Sequence, residues 1–199
     1  MADDRTTWLR HSFLLAVATA GFHFLQFVCG AALWRTSNSA ALLSFGLDAL
    51  VSAVGAIFLA SRMDRIDAHG RHPILGYAYI AASLVALYCG GRTMWLGQRP
   101  TRSLLGIALA ATSMLVIPII GSYMKVLAVE LRSQALKTAA IFTFGNSYLS
   151  MVLLIASLLN TGMDIRWGDS LGALVMFPFM MQKGIQILLE EGKQEYVED

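Results

Sequence analysis

The sequence predicts an all-α membrane protein, a single domain over residues 1–199 with six transmembrane helices. Composition is the first reason, because 56% of the residues are hydrophobic and only 14% are charged, whereas a soluble domain carries about 25% charged residues. The second reason is a mean hydropathy of +0.60. The third is length, since a chain of 199 residues accommodates six spans of about 20 residues joined by short loops.

Six apolar stretches alternate with polar breaks such as RTSNS and GQRPTR. Each stretch can cross about 30 Å of hydrocarbon, because a helix rises about 1.5 Å per residue. Two acidic residues precede the first basic one, which favours a retained first helix over a signal peptide. We therefore predict helices over residues 12–33, 39–60, 76–97, 103–124, 136–158 and 169–189.

The distribution of Lys and Arg predicts the orientation of these helices. We call the side of the membrane that holds the N-terminus side one. Side one receives ten basic residues and the other side four, with Arg92 ambiguous. The ten are Arg5, Arg10, Arg62, Arg65, Arg71, Lys125, Arg132, Lys137, Lys183 and Lys193; the four are Arg35, Arg99, Arg102 and Arg166. Because cytoplasmic loops are enriched in Lys and Arg, we expect both termini in the cytoplasm and the chain in the cytoplasmic (inner) membrane.

Several functions are disfavoured by the same composition. A net charge of +2 without a basic run argues against nucleic acid as a partner. Cys29 and Cys89 lie in separate apolar segments without CxxC spacing, so we interpret them as small hydrophobic residues. His69 and His72 lie in a loop with three arginines, and we interpret that loop as solvated rather than metal-binding.

One carboxylate lies in the middle of the second predicted helix. The stretch ALLSFGLDALVSAV is otherwise apolar or small, and Asp48 is near its centre. A charged side chain at that depth costs about 2.5–3.5 kcal/mol, so a cation, a proton or a partner side chain should offset it. The alternative is a protonated Asp48 that donates to a neighbouring backbone carbonyl.

The second and fifth predicted helices can be aligned by a shift of 94 residues, which places SAALLSFGLDALVS over SQALKTAAIFTFGN. Asp48 then lies over Phe142, and Ser52 over Asn146. Residues four apart share one helix face. Two such helices facing each other would enclose a four-cornered site near the middle of the membrane, an arrangement that suits a tetrahedral cation site.

Three stretches of the chain resemble the cation diffusion facilitator (cation efflux) family. SAALLSFGLDALVS is similar to the second helix of that family, and LRSQALKTAAIFTFGN is similar to the run into its fifth. WGDSLGALVMFPFMMQKGIQILLEE resembles its sixth helix, with Asp169 at the entrance. HPILGY is similar to the family's turn before helix three, one residue out of step.

The resemblance implies a homodimeric secondary transporter that exchanges a divalent metal cation for protons. The family's four ligand positions correspond here to Asp48, Ser52, Phe142 and Asn146. Only Asp48 is a strong ligand, so we expect a harder, oxygen-preferring ion or a mostly hydrated one rather than zinc. The predicted metal site is Asp48, Asn146, Ser52 and His23. We expect no other cofactor, and no cytoplasmic metal-binding domain after the sixth helix.

The proposed ligands also have structural interpretations. His23 could replace a missing ligand or carry a proton, but the spacing favours a pair with Gln26, three residues later on the same face. Asn146 and Ser52 could simply join helices by hydrogen bonds worth about 1 kcal/mol.

Three functions remain open from the sequence. The first is the cation transporter. The second is a non-transporting relative that acts as a membrane subunit or regulator, for which a dry, close-packed region around Asp48 would be the sign. The third is a membrane-embedded enzyme or small-molecule binder, which would need an organic-sized pocket between the second and fifth helices. No nucleophile–base pair or HExxH motif in the sequence supports an enzyme.

Overall fold

The computed structural model describes residues 2–61, 73–163, 165 and 167–195, and the regular structure in these ranges is entirely α-helical. The helices are α1 (Ala2–Ser37), α2 (Ala40–Ser61), α3 (Pro73–Trp95), α4 (Leu104–Glu130), α5 (Gln134–Gly162) and α6 (Gly168–Glu195). Each contains a segment long and apolar enough to span a membrane. The predicted all-helical fold with six candidate spans is confirmed.

The helix ends differ from the predicted ones, most of all at α1, which begins at Ala2 rather than at residue 12, and also between α4 and α5. The sequence predicted a polar break from about residue 125, but α4 continues to Glu130 and α5 begins at Gln134. The turn is only three residues long, and Arg132 adopts a positive φ of 50° within it. Ser133 then caps α5 by accepting a hydrogen bond from the Leu136 N–H. The charged residues before this turn are good helix formers, so a capping serine rather than polarity marks the boundary.

Helix α2 lies at the centre of the bundle, where it contacts α1, α3, α5 and α6. The most extensive packing joins the helices in pairs, α1 with α2, α4 with α5, and α3 with α6. Because short connections make consecutive helices antiparallel, α2 and α6 run in the same direction. Their N-terminal ends are also in contact, since Asp169 of α6 accepts a hydrogen bond from the Ala40 N–H of α2.

Helices α3 and α6 approach closely through facing glycines. A Cβ atom added to Gly184 would lie 2.8 Å from the Gly76 carbonyl oxygen and 3.1 Å from the Ile80 backbone nitrogen. Small residues at such a crossing allow membrane helices to pack backbone against backbone. This close approach packs the C-terminal half of α6 against α3, and the neighbouring Lys183 side chain is directed toward α2.

Candidate functional site: a buried ion pair between α2 and α6

Asp48 forms an ion pair with Lys183 in the interior of the bundle. The Lys183 Nζ atom lies 2.8 Å from Asp48 Oδ1, and the two residues are 6% and 2% exposed. The same ammonium donates a hydrogen bond to Asn146 Oδ1 and lies 5.3 Å from the centre of the Tyr79 ring. Asp48 therefore has the compensating positive charge that its depth requires, and an internal ammonium supplies it.

The reach of Lys183 follows from helix geometry. Asp48 lies eight residues after Ala40, and Lys183 lies 14 residues after Asp169. At 1.5 Å per residue these offsets are about 12 Å and about 21 Å. The Lys183 backbone therefore lies about 9 Å farther than the Asp48 backbone from the Ala40–Asp169 contact, along the helix axes. Side chains of a helix lean toward its N-terminus. The long lysine stem therefore leans back to the level of Asp48.

A branched hydrogen-bond network continues from the ion pair. The Asn146 amide nitrogen donates to Ser52 Oγ at 2.9 Å and lies 3.5 Å from His23 Nε2. The Ser52 hydroxyl is in turn 2.8 Å from the Tyr79 hydroxyl. The structure thus brings together the four predicted site residues, Asp48, Asn146, Ser52 and His23, from three helices. Their hydrogen bonds connect Asp48 to the others by way of Lys183.

His23 also makes the hydrogen bond that its spacing allowed. Its Nδ1 atom lies 2.7 Å from Gln26 Oε1, and the Gln26 amide donates to Ser113 Oγ on α4 at 2.6 Å. The Ser113 hydroxyl donates to the Leu109 carbonyl in its own helix at 2.7 Å. The polar network therefore extends from α6 through α5 and α1 to α4.

The space beside this network is small. A cavity of about 30 Å³ is lined by polar groups of the network and by apolar residues of α2, α4 and α5. One water needs about 10–15 Å³, so the cavity admits one or two waters or a small ion. It does not admit an organic molecule. Phe142, which aligns with Asp48 when the two halves of the sequence are compared, is buried and forms part of the wall of this cavity.

The donor set is poor for a transition metal. Within the described parts of the chain, no group of three or more His, Cys, Asp or Glu side chains could hold a metal ion. The acceptors nearest the ammonium are one carboxylate oxygen and one amide oxygen. Such oxygens suit alkali or alkaline-earth cations better than zinc.

A second buried carboxylate, Asp169, lies at the end of the bundle. Its oxygens accept hydrogen bonds from the Ser39 hydroxyl, from the Ala40 N–H at 2.7 Å and from the Ala41 N–H at 3.5 Å. These are orphan N–H groups at the start of α2, where the helix dipole favours a negative charge. Asp169 of α6 therefore caps α2 across the bundle.

Sequence reasoning missed Lys183, which was counted among the basic residues of side one. The assignment is wrong because Lys183 is buried in the interior of α6, so it cannot contribute to the charge bias of the loops. Two signals pointed to it. A carboxylate inside a span requires a partner, and Lys183 lies 14 residues, about four turns, after Asp169, on the same face of α6.

Other predictions concern residues outside the described ranges. His69 and His72, with Arg62, Arg65 and Arg71, lie in segment 62–72, and Arg166 is also outside. No protein-family model matches this sequence, and no curated protein matches it either. The resemblance to cation diffusion facilitators, the orientation of the termini and the homodimer therefore stay predictions.

Proposed function

We propose that the protein is a secondary carrier that exchanges a cation for a proton at the Asp48–Lys183 pair, with Asp48 as the cation ligand. The observation that supports this proposal is the buried Asp48–Lys183 ion pair, in which the ammonium has the surroundings a bound cation would need. It contacts a carboxylate oxygen, an amide oxygen and an aromatic face. In this proposal Lys183 compensates Asp48 when no cation is bound, and an incoming cation displaces its ammonium.

Charge balance explains why exchange with protons would follow. The ion pair is neutral, and a net charge within hydrocarbon is costly. If a monovalent cation takes the place of the ammonium and Lys183 releases one proton, the site again sums to zero. One cation then moves for one proton, and neither form of the carrier carries a net charge at this site.

The same balance bears on the charge of the ion. A divalent cation would leave one uncompensated positive charge unless a second proton departed. A single carboxylate with amide and hydroxyl oxygens also binds divalent ions weakly. We therefore extend the divalent metal predicted from the resemblance to include alkali cations, and the ion panel below separates the two classes.

A non-transporting membrane subunit is the second candidate, and the packing around Asp48 favours it. Asp48 is 2% exposed, and the adjoining cavity is about 30 Å³. In that case the ion pair would only join α2 to α6, and no ion would have access to it.

Flux measurements in proteoliposomes test the proposal. Purified protein is reconstituted and assayed with sodium, potassium, lithium, magnesium, manganese, iron, cobalt and zinc, while a pH dye records proton movement. Asp48→Asn should abolish cation flux. Asp169→Asn is the matched control, because it removes the other buried carboxylate but retains an acceptor for the α2 N–H groups; we expect it to transport.

Proton counter-movement that accompanies cation flux and disappears in Asp48→Asn would support the carrier. Absence of flux for every ion, from protein that unfolds cooperatively, would overturn it and leave the subunit. Cross-linking in native membranes and labelling of terminal tags from either side test the predicted homodimer and cytoplasmic termini.

A further inference from the structure

We infer that Ser113, Gln26 and His23 form an orienting chain that fixes the side-chain amide of Asn146 with its oxygen toward the cation position. The three would be positioning residues, and His23 would not itself be a ligand. The role in transport rests on the proposed function, whereas the orientation of the amide can be measured without it.

The chain begins at a fixed acceptor on α4. The Leu109 carbonyl can only accept, so the Ser113 hydroxyl donates its hydrogen there, at 2.7 Å. Ser113 Oγ must then accept from Gln26, and only the amide nitrogen of Gln26 can donate, at 2.6 Å. The two ends of the Gln26 amide are thereby distinguished. Its oxygen is left facing His23.

The oxygen of Gln26 selects the tautomer of His23. Because that oxygen can only accept, the Nδ1 atom of His23, 2.7 Å away, must carry the hydrogen. In the neutral imidazole the Nε2 atom then has a lone pair and can only accept. Nε2 faces the amide nitrogen of Asn146 at 3.5 Å.

Asn146 receives the end of the chain. Its amide nitrogen has two hydrogens, one directed to Ser52 Oγ at 2.9 Å and the other toward His23 Nε2. Its oxygen accepts from the Lys183 ammonium, which can only donate. The orientation of the Asn146 amide that the chain from Ser113 on α4 imposes is therefore the same one that Lys183 on α6 requires.

This agreement matters when Lys183 withdraws. An amide without constraint presents its oxygen or its nitrogen about equally well, and a cation is attracted only by the oxygen. With the chain intact, a flipped Asn146 would place its oxygen against the lone pair of His23 Nε2. The chain thus keeps a ligand oxygen directed at the vacated position, from an anchor at the Leu109 carbonyl of α4.

Ser113 offers a matched pair of variants for the test. Ser113→Ala removes the anchoring hydroxyl, and Ser113→Thr keeps it. Ser44→Ala is the control, because within the described part of the chain the Ser44 hydroxyl bonds only to the Ala40 carbonyl of its own helix, at 2.8 Å. Proton–nitrogen correlation spectra of histidine-labelled protein in nanodiscs report which ring nitrogen carries the hydrogen, and His23→Gln identifies the His23 signals among the four histidines.

We expect wild type, Ser113→Thr and Ser44→Ala to show the Nδ1–H tautomer of His23, and Ser113→Ala to show a mixture. In the flux assay, Ser113→Ala should raise the KM for the cation about fivefold, the effect of one buried hydrogen bond, with the maximal rate unchanged. The threonine variant should restore the wild-type KM, which a loss of packing alone would not predict.

Two results would overturn the inference. One is an Nε2–H tautomer of His23 in the wild type, and the other is a tautomer and KM in Ser113→Ala that match the wild type. If the wild type carries no ion, the proposed function fails, while the spectra still decide whether the orienting chain exists.

Discussion

Asp48 and Asp169 are both buried carboxylates, and both join α2 to α6, but their negative charges are compensated in different ways. Asp169 accepts from a serine hydroxyl and from backbone N–H groups at the start of α2. Asp48 accepts from the ammonium of a flexible side chain. A helix terminus cannot leave its partner without unfolding a turn, whereas a lysine can change rotamer.

This difference separates a structural contact from an exchangeable one. The Asp169 contact anchors the ends of two helices through groups that would otherwise be orphan donors. The Asp48 contact holds two opposite charges in an apolar interior, where the desolvation cost offsets much of the attraction. The proposed function requires an exchangeable partner only at Asp48, and the following predictions test whether the two sites differ in this way.

The largest expected effect is that of Lys183→Met. It would leave Asp48 buried without a partner, at a cost of about 3–5 kcal/mol in the free energy of unfolding. Unfolding in mixed detergent micelles measures this loss. The double variant Asp48→Leu with Lys183→Met should recover most of it, because apolar replacement of a whole buried pair is often neutral. A loss under about 1 kcal/mol for the single variant would show that Asp48 does not depend on Lys183.

The same substitution at both carboxylates makes the comparison direct. Asp48→Asn keeps an acceptor but leaves the ammonium without a counter-charge, so we expect a loss of about 1–3 kcal/mol. Asp169→Asn should cost less than about 1 kcal/mol, because Asn caps a helix N-terminus about as well as Asp. Equal losses in the micelle assay would remove the distinction between the two sites.

Removal of the cap itself should have an intermediate effect. Asp169→Ala leaves the Ala40 and Ala41 N–H groups without their acceptor, at an expected cost of about 1–2 kcal/mol. Hydrogen exchange should accelerate in the first turn of α2 and remain unchanged at the level of Asp48. Faster exchange around Asp48 would indicate that the two contacts act as one unit.

The smallest effect concerns the hydrogen bonds around the ion pair. Ser52→Ala removes one acceptor of the Asn146 amide and a hydrogen-bond partner of the Tyr79 hydroxyl. Hydrogen bonds between membrane helices contribute about 0.6 kcal/mol on average, so we expect a loss of this order. Ser44→Ala, which breaks a bond within one helix, should change stability less. The reverse order would contradict a network between helices.

Much of the site was predictable from the sequence, because a charged side chain within the bilayer is costly and therefore requires a partner. Asp48 in an apolar run requires a partner, and the shift of 94 residues matched Ser52 to Asn146, which bond to each other at 2.9 Å. The partner itself was not recognised. Lys183, although inside the predicted helix over 169–189, was counted with the basic residues of side one, because the helical pattern does not show which neighbouring helix a side chain faces.

By itself, the sequence determined that six apolar helices form, because hydrocarbon requires every backbone polar group to be satisfied within a helix. It also determined that a carboxylate at residue 48 requires compensation. Tertiary structure alone decided that the compensating charge is Lys183, that Asn146 and His23 converge beside it, and that Asp169 caps α2. These outcomes depend on contacts between residues that are distant in the chain. Such contacts, including the crossing of α3 and α6 at Gly76 and Gly184, form only when the whole bundle is packed.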